Sequence, residues 1–432
     1  MPQTMDFWTL LALVQEHITK EYAAILTDAE KLPQLRAYID QYVREGSYAA
    51  DGVPAEELTE RLYREMAEYS VLTPYLGSPD LEEINVNAWD DIALTQTDGS
   101  IVKAVEHFHS PQHAEDVIKR LLHHSGMLMD NAVPIAQGHL PNNTRITAMK
   151  APIVDEACGV AASIRLLHPQ RIVRERLLTT GMATEDMLDF LTACIRYGVS
   201  VAAAGATSTG KTTLINCLLG EIPDNKRVFT IESGARELAL VRTENGRTTN
   251  NVVHTLSRPS DNPAYDITQD QLVVASLRFS PDVVVVGEMR DVEAAAAVEA
   301  SLTGHTVVST VHSGPAEAAH TRVALLCQRR FPIDFATSLT QAGMAFPVIV
   351  YTHRLEDNSR RIMDITECEV LPDGRRDYHT LYRYDIDSNI LRNGQYVITG
   401  HFSKAGIPSE SLQRKLRQYG IPQDVLARFM TE

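Results

Sequence analysis

The sequence predicts an α/β protein in which a parallel-sheet domain follows a smaller α+β domain and an N-terminal helical segment. From about Leu177 onward, short apolar runs alternate with helical stretches, as in a parallel sheet covered by helices on both faces. Between about Asp80 and Arg174, shorter runs of alternating polarity surround one helical stretch. Before Tyr75, apolar residues recur at helical spacing. The 432 residues suit two or three domains, which we place at 1–75, 76–174 and 175–432.

The N-terminal segment is predicted to be helical because its apolar residues form stripes that each lie on one helical face. The stripes are Phe7, Leu10, Leu11, Val14 and Ile18; Leu35, Ile39 and Tyr42; and Leu58, Leu62 and Met66. Turn-forming residues from Gly46 to Pro54 separate the second stripe from the third. Simple helix packing explains all of these stripes.

The middle domain is predicted from strand-like runs, one helix and one turn. The runs are Glu83–Ala88, Ile92–Thr97, Ile101–Phe108 and Val160–Leu166, and the helix is His113–His124. Two further strands are expected to pair around the turn at Pro141-Asn142-Asn143. The stretch from His168 to Arg176, followed by Gly181, predicts a linker to the last domain.

The last domain is predicted to alternate strands and helices before it ends in hairpins. The strands are Val199–Ala204, Arg227–Ile231, Val283–Val286 and Thr306–Val311; the helices are Lys211–Leu219, Thr268–Leu277, Asp291–Leu302 and Ala316–Cys327. After Pro347, turn signals occur at Asp357-Asn358-Ser359, Pro372-Asp373-Gly374 and Asn393-Gly394. We therefore expect an antiparallel extension of the sheet.

Composition excludes several classes of protein. The net charge of −16 argues against sequence-independent nucleic-acid binding, which depends on neutralising phosphates. No apolar run reaches the roughly 20 residues of a membrane-spanning helix, and no basic stretch precedes the first apolar run, so we expect neither a membrane span nor a secretory signal. The five cysteines are scattered without a Cys-x-x-Cys pair, which predicts reduced thiols in the cytoplasm and no zinc site.

The strongest local signal is a phosphate-binding loop that follows an apolar strand and opens a helix. Gly205 to Thr212 fits the pattern Gly-x4-Gly-Lys-Ser/Thr completely. Glycines allow backbone amides to wrap phosphate oxygens, and the helix N-terminus adds a partial positive charge. Lys211 is expected to reach the β- and γ-phosphates, and the Thr212 hydroxyl to bind Mg²⁺. A chance match is the alternative, and the strand–loop–helix context argues against it.

A second signal is an acidic residue at the end of an apolar strand. Gly287 and Glu288 follow Val283–Val286, and the carboxyl ends of parallel strands face the ligand crevice. Glu288 is therefore expected beside the phosphate loop, where it could hold Mg²⁺ or polarise the attacking water. The alternative is a surface glutamate that caps the next helix. Asp282 precedes the strand, so we expect it at the opposite edge of the sheet.

Four ordered motifs carry a family resemblance. They are a Walker A loop at Gly205–Thr212, an Asp-box-like segment at Thr230–Leu238, a Walker B segment at Leu277–Asp291 and a His box at Thr303–His312. With these motifs the chain resembles the secretion ATPase superfamily, which drives type II and type IV secretion and pilus assembly. Asp80–Asn87 and Ala162–Arg165 also resemble that family's N-terminal domain. The lack of a tetracysteine module favours the CpaF/TadA-like and conjugative type IV secretion branch.

The resemblance implies a RecA-like P-loop NTPase domain and a set of site residues. Glu288 would be the main catalytic carboxylate, Glu232 would help to position Mg²⁺ and water, and His312 would sense the γ-phosphate. Ser233 follows Glu232 where the family usually has an acidic residue. The sequence leaves open which glutamate is the base. The implied metal ligands are Thr212, Glu232 and Glu288.

The resemblance also implies arginines near the nucleotide, and phosphoryl transfer often uses one from a neighbouring subunit. The candidates in the last domain are Arg242, Arg258, Arg278 and Arg290, of which we expect Arg242 to be the catalytic residue. Arg145 and Arg165 of the middle domain are expected as nucleotide contacts. A surface ion pair is the alternative for each of them. The other expected nucleotide contacts are Gly205, Ala206, Thr207, Ser208, Thr209, Gly210, Lys211, Thr212 and Thr213.

The implied function is ATP hydrolysis with Mg²⁺ by a cytoplasmic homo-hexamer at the inner face of the cell membrane. Its partners would be inner-membrane secretion or pilus platform proteins, and we do not expect nucleic acid as a direct ligand. Two other interpretations stay open: a RecA-like nucleic-acid motor, and a nucleotide-switched scaffold with little turnover. The net charge and the ordered motifs argue against the first, and the intact Lys211, Glu288 and His312 argue against the second.

Overall fold

The computed structural model describes residues 3–26, 32–97, 100–123, 126–140, 143–167, 172–258, 263–392 and 394–431. The chain forms two compact units, Met1–His168 and Pro169–Glu432. The further separation of a helical segment, 1–75, from an α+β domain, 76–174, stays a prediction. None of the described helices is both long and apolar enough to cross a membrane.

The first unit begins with helices that pack through the apolar stripes of the sequence. The elements are β1 (Gln3–Met5), α1 (Phe7–Leu26), α2 (Leu32–Glu45), β2 (Tyr48–Ala50), α3 (Ala55–Ala67) and α4 (Thr73–Leu76), and β1 pairs with β2 in parallel. Leu10, Ile18, Leu35, Ile39 and Leu62 are fully buried in the core of this part. The stripes are therefore the packed faces of the helices.

The rest of the first unit is an antiparallel sheet with a helix packed on it. The elements are β3 (Leu81–Ala88), β4 (Asp91–Gln96), β5 (Ile101–Lys103), α5 (Pro111–His123), β6 (Ile135–Leu140), β7 (Thr144–Lys150) and β8 (Val160–Leu166). The strand order is β5-β4-β3-β8-β7-β6. The strand predicted for Ile101–Phe108 ends at Lys103, because Phe108 turns into the core and is fully buried there. The first two residues of the predicted turn at 141–143 lie outside the described residues.

The second unit is built on a mixed sheet. The strands of this unit are β9 (Val201–Ala204), β10 (Arg227–Glu232), β11 (Thr243–Glu244), β12 (Arg247–Thr248), β13 (Asn251–Leu256), β14 (Val283–Met289), β15 (Thr306–Val311), β16 (Val348–Arg354), β17 (Arg360–Val370), β18 (Arg376–Arg392) and β19 (Gln395–Lys404). Of these, β11 and β12 pair with each other in a separate two-stranded sheet. The order of the main sheet is β13-β10-β14-β15-β9-β16-β17-β18-β19. Neighbours from β13 to β16 are parallel, and those from β16 to β19 are antiparallel. The expected parallel sheet with an antiparallel extension is therefore present in the strand pairing.

Helices cover both faces of this sheet. They are α6 (Arg174–Thr179), α7 (Glu185–Arg196), α8 (Lys211–Gly220), α9 (Gln269–Ser276), α10 (Glu293–Leu302), α11 (Ala316–Cys327), α12 (Phe335–Ala345), α13 (Glu410–Gln418) and α14 (Gln423–Phe429). Val283 and Val285 of β14 point into a core with α7 and α8, whereas Val284 and Val286 point into a second core with α10 and α11. Burial on both faces explains why four consecutive residues of this strand, Val283 to Val286, are apolar.

The linker predicted for His168–Arg176 needs correction. Residues 168–171 lie outside the described part of the chain, and α6 already begins at Arg174. The Arg174 guanidinium binds Glu221 at 2.6 Å and also forms ion pairs with Glu185 and Asp189. The last three residues of the predicted linker are therefore helical, and ion pairs hold the first of them, Arg174, in place.

Candidate nucleotide-binding site

The sheet topology brings the sequence motifs of the second unit to one edge. The strands β9, β10, β14 and β15 are mutually parallel, so their carboxyl ends lie at the same side. The phosphate loop follows β9, Glu232 ends β10, Glu288 lies near the end of β14, and His312 directly follows β15. The fold thus places these candidate residues around a common edge, as expected for a parallel α/β sheet.

Two glycines give the phosphate loop its shape. Gly210 precedes α8 with φ of 93°, a left-handed conformation that strains other residues. Gly205 has φ of 152°, and a Cβ atom there would lie 2.4 Å from the carbonyl oxygen of Thr352. The loop is therefore pressed against β16 at its first residue. Its last residues open α8, whose first backbone N–H groups have no helical partners.

Lys211 is buried at the start of α8 and folds back on the loop. Its Nζ donates hydrogen bonds to the carbonyl oxygen of Gly205 at 3.0 Å and to that of Ala206 at 2.7 Å. Burial lowers the pKa of Lys211, while the nearby Glu288 carboxylate opposes that shift. A desolvated ammonium group is stabilised by a neighbouring anion, so this arrangement favours a phosphate ligand.

Glu288 has a partner at each carboxylate oxygen. Its Oε1 lies 3.0 Å from Nε2 of His312, and its Oε2 forms an ion pair with Arg290. The hydrogen bond to Glu288 raises the pKa of Arg290. The structure thus brings the predicted carboxylate and the predicted histidine together, and it adds Arg290 as the counter-ion of the carboxylate.

The electrostatic environment keeps His312 neutral at pH 7. Burial lowers its pKa below the ordinary 6.5, and the positive charge of Lys211 lowers it further. A neutral imidazole has one donor nitrogen and one acceptor nitrogen. His312 can therefore donate a hydrogen bond either to Glu288 or to a phosphate oxygen beside it.

Glu232 is more deeply buried than Glu288 and has a structural contact. Its side chain is only 4% exposed, and its Oε1 accepts hydrogen bonds from the backbone N–H groups of Glu237 at 2.7 Å and Leu238 at 3.0 Å. A Cβ atom on Gly287 would lie 3.5 Å from Cγ of Glu232, so the ends of β10 and β14 are close together. Glu232 thus shapes the segment after β10, and its predicted role toward Mg²⁺ and water stays a prediction.

The residues at this edge are suited to Mg²⁺ that is also bound by phosphates. Among the described residues, no group of three or more His, Cys, Asp or Glu side chains could hold a metal ion by itself. Mg²⁺ commonly keeps several waters and takes one or two protein ligands together with substrate phosphates. The Thr212 hydroxyl in the first turn of α8 and the Glu288 carboxylate would be those protein ligands.

Arg242 does not lie at the phosphate loop of its own chain. Its guanidinium donates to the carbonyl oxygens of Gly220 at 3.1 Å and Ile222 at 2.7 Å, and it forms an ion pair with Asp224. These contacts are at the C-terminal end of α8, whereas the loop is at the N-terminal end. Within its own chain Arg242 therefore satisfies helix-end carbonyl groups, and its catalytic role toward a neighbour stays a prediction.

Arg145 and Arg165 belong to the first unit. They lie on the adjacent strands β7 and β8 and are directly opposite each other in the strand register. Glu83 of β3 lies directly opposite Arg165 on its other side, so an acidic residue accompanies the two arginines in this row of the sheet. Their predicted contact with nucleotide stays a prediction.

Two residues that no sequence motif predicted, Thr352 and Arg360, hold the phosphate loop from the antiparallel extension of the sheet. The Thr352 hydroxyl lies 2.8 Å from that of Thr209, and Arg360 donates from Nε to the carbonyl oxygen of Ser208 at 2.9 Å. Both residues lie on the hairpin of β16 and β17. No local motif marks them, because their relation to the loop depends on β16 pairing with β9.

The fold defines the class as an α/β protein with a mixed sheet and a phosphate-loop sequence at its carboxyl edge. The family model described as "Type II/IV secretion system protein" matches residues 65–349. Because this match covers more than half of the chain, the protein belongs to the type II/IV secretion ATPase superfamily. The family resemblance that the motifs carried is thereby confirmed.

Known proteins share this similarity over part of their length. An uncharacterised protein of Methanocaldococcus jannaschii is 28% identical over 327 residues, which cover 73% of this chain and 56% of that protein. The type IV secretion system protein PtlH of Bordetella pertussis is 32% identical over 190 residues, which cover 43% of this chain and 54% of PtlH. The chain thus spans about half the length of these relatives. The solved ATPase DotB of Legionella pneumophila is 18% identical, with a TM-score of 0.45, over 83% of this chain and 84% of DotB.

Proposed function

We propose that the protein is a Mg²⁺-dependent ATPase with a RecA-like second unit. The observation that carries this proposal is the cluster of Lys211, Glu288 and His312 at the carboxyl edge of the sheet. The Glu288 carboxylate lies 3.0 Å from the imidazole of His312, and Lys211 is close enough to both for its charge to affect them. A buried cation for phosphate and a carboxylate for water are the parts that phosphoryl transfer to water requires.

The proposed mechanism begins with phosphate binding by the loop. Lys211 would exchange the carbonyl oxygens of Gly205 and Ala206 for phosphate oxygens, and this exchange would offset the cost of its burial. Glu288 would orient and polarise the attacking water, with Arg290 holding its second oxygen. His312 would move its N–H from Glu288 to the γ-phosphate. Bound Mg²⁺ would neutralise charge on the phosphates.

We further propose that the chain assembles as a homo-hexamer that powers a secretion, conjugation or tight-adherence pilus machine. Family membership and the similarity to PtlH support a type IV secretion role. The lack of a Cys-x-x-Cys pair supports the CpaF/TadA-like and conjugative branch. In this proposal the hexamer lies in the cytoplasm and reaches the membrane through partner proteins.

The proposal is tested by replacing Glu288. Glu288→Gln removes the charge but keeps the shape, so Mg-ATP should still bind while turnover falls by at least about 100-fold. Glu299→Gln is a matched control, because Glu299 is an exposed glutamate on the neighbouring helix α10. Phosphate release and nucleotide binding would be measured for both variants and for Lys211→Ala.

The outcomes separate the parts of the proposal. Equal turnover in the wild type and in Glu288→Gln would remove Glu288 from the mechanism. A wild-type protein that neither binds nor hydrolyses Mg-ATP, alone or in the presence of added partners, would refute the ATPase. A protein that remains monomeric by sedimentation with Mg-ADP would refute the hexamer.

A further inference from the structure

The sheet order determines which way a nucleotide would run across the phosphate loop. The loop follows β9, which lies between β15 on one side and β16 on the other. Glu288 and His312 come from β14 and from the end of β15, so the γ-phosphate belongs on that side of the loop. The nucleoside end of a bound nucleotide must then extend toward the side of β16 and β17.

Two side chains lie beside the loop on that opposite side. A Cβ atom on Gly210 would lie 3.0 Å from Cε of Met182 and 3.4 Å from Cδ of Arg360. Met182 is almost fully buried, whereas Arg360 is exposed at the start of β17. A thioether and a guanidinium thus border the loop where the nucleoside would leave it.

The contact between Arg360 and the loop holds the guanidinium through one of its three nitrogen atoms. Nε donates to the carbonyl oxygen of Ser208 at 2.9 Å. Within the part of the chain that the structure describes, Nη1 and Nη2 have no hydrogen-bond partner. The neighbouring Arg354, which is directly opposite Arg360 in the strand register, instead binds the Asn358 side chain. A planar cation held at one edge leaves a flat face for an aromatic ring.

We propose that Arg360 is the platform on which the base of the nucleotide stacks, with the Met182 thioether beside it. This inference rests on the proposed function, because it assumes that the loop binds nucleotide phosphates. Arginine stacks on aromatic rings through its planar guanidinium, and methionine packs well against ring edges. Arg360 would thus supply binding energy from the base, separately from the phosphate contacts of Lys211.

The test compares a ligand that has a base with one that has none. Mg-ADP and inorganic tripolyphosphate would be titrated by calorimetry into the wild type and the variants Arg360→Ala and Arg360→Lys. Arg360→Ala should weaken the affinity for Mg-ADP about tenfold, as expected for the loss of one cation–π contact of moderate strength. Tripolyphosphate binding should weaken much less than Mg-ADP binding, because it loses only the effect of the Ser208 contact on the loop. The lysine variant should not restore Mg-ADP binding because its ammonium group is not planar.

Arg354→Ala is the matched control, since it removes one positive charge from the same hairpin without touching the loop. Its affinity for both ligands should equal that of the wild type. Equal weakening of Mg-ADP and tripolyphosphate by Arg360→Ala would show that Arg360 only shapes the loop, and it would overturn the inference. Unchanged Mg-ADP binding would overturn it as well. A wild type that binds neither ligand would refute the proposed function itself.

Discussion

Replacing the buried histidine of α11 should change how the stability of the second unit depends on pH. His320 is fully buried, with Nε2 at 2.9 Å from the carbonyl oxygen of Phe346 and Nδ1 at 3.1 Å from the hydroxyl of Tyr378. Because a carbonyl oxygen only accepts, Nε2 carries the proton and Nδ1 accepts from Tyr378. The side chain is therefore a neutral imidazole with both nitrogens satisfied.

Burial lowers the pKa of His320 from 6.5 to about 4. Its charged form is thus disfavoured in the folded state, and the unfolded chain binds a proton first as pH falls. The contribution of His320 to the free energy of unfolding does not change with pH above pH 6.5. Between pH 6.5 and pH 4, the free energy of unfolding falls by about 1.4 kcal/mol per pH unit because of this residue. A change from pH 7 to pH 5 should therefore lower the free energy of unfolding by about 2 kcal/mol through His320 alone.

The substitution His320→Gln removes this titration while its amide can still donate to Phe346 and accept from Tyr378. Urea unfolding would be followed by circular dichroism at pH 7 and pH 5, with His353→Gln as a control at an exposed histidine of β16. Both tryptophans, Trp8 and Trp89, belong to the first unit, so tryptophan fluorescence follows that unit separately. The wild type and His353→Gln should lose about 2 kcal/mol more than His320→Gln between the two pH values.

Equal losses in all three proteins would refute this account of His320. A fluorescence transition that shifts with His320→Gln as much as the circular dichroism transition does would show that the substitution acts on the whole chain. The expected result is a change confined to the transition of the second unit.

Two further substitutions test contacts at the site and at the far end of α8. Arg242→Ala leaves helix-end carbonyl oxygens without their donor, so thermal and urea unfolding should show a loss of about 1–3 kcal/mol; an unchanged midpoint would show that water replaces the guanidinium. The lowered pKa of His312 means that the imidazole is neutral at pH 7 and gains its proton only as pH falls below 6.5. The ATPase rate should therefore decline below pH 6.5 in the wild type, and His312→Gln should lack that decline; the same acid limb in both proteins would assign it to another group.

The sequence predicted most of the strands of the second unit because their patterns are strong. The valine run of β14 and the strand β15 are buried on both faces of the sheet. Such strands have near-continuous apolar sequences, which are easy to recognise. The edge strand β13 was missed because it is only half-buried and includes Asn251 and His254. Helix α7 was not predicted, although the sequence contains a pattern typical of a helix start. Thr184 caps the helix by accepting a hydrogen bond from the N–H of Met187, and two acidic residues follow it.

The candidate site was predictable where a motif supplies both the residue and its position along the chain. Lys211, Glu288 and His312 were expected to lie together because the phosphate loop, Glu288 and His312 are each at the carboxyl end of a buried strand, and the structure places these strand ends at the same edge. The contacts of Arg242 and Arg360 do not follow from local sequence. The contacts of Arg242 depend on where the C-terminal end of α8 lies, and the contact of Arg360 depends on the pairing of β16 with β9.

The hairpin of β16 and β17 also determines when the phosphate loop can be completed during synthesis. The contact from Ser208 to Arg360 spans 152 positions, and that from Thr209 to Thr352 spans 143. A nascent chain that ends at His312 already contains every proposed catalytic group of the second unit, but β9 lacks its neighbour β16. Chains emerge from the ribosome N-terminus first, so these two contacts form late in synthesis. The loop therefore gains its full set of contacts only after the polypeptide has grown well past His312.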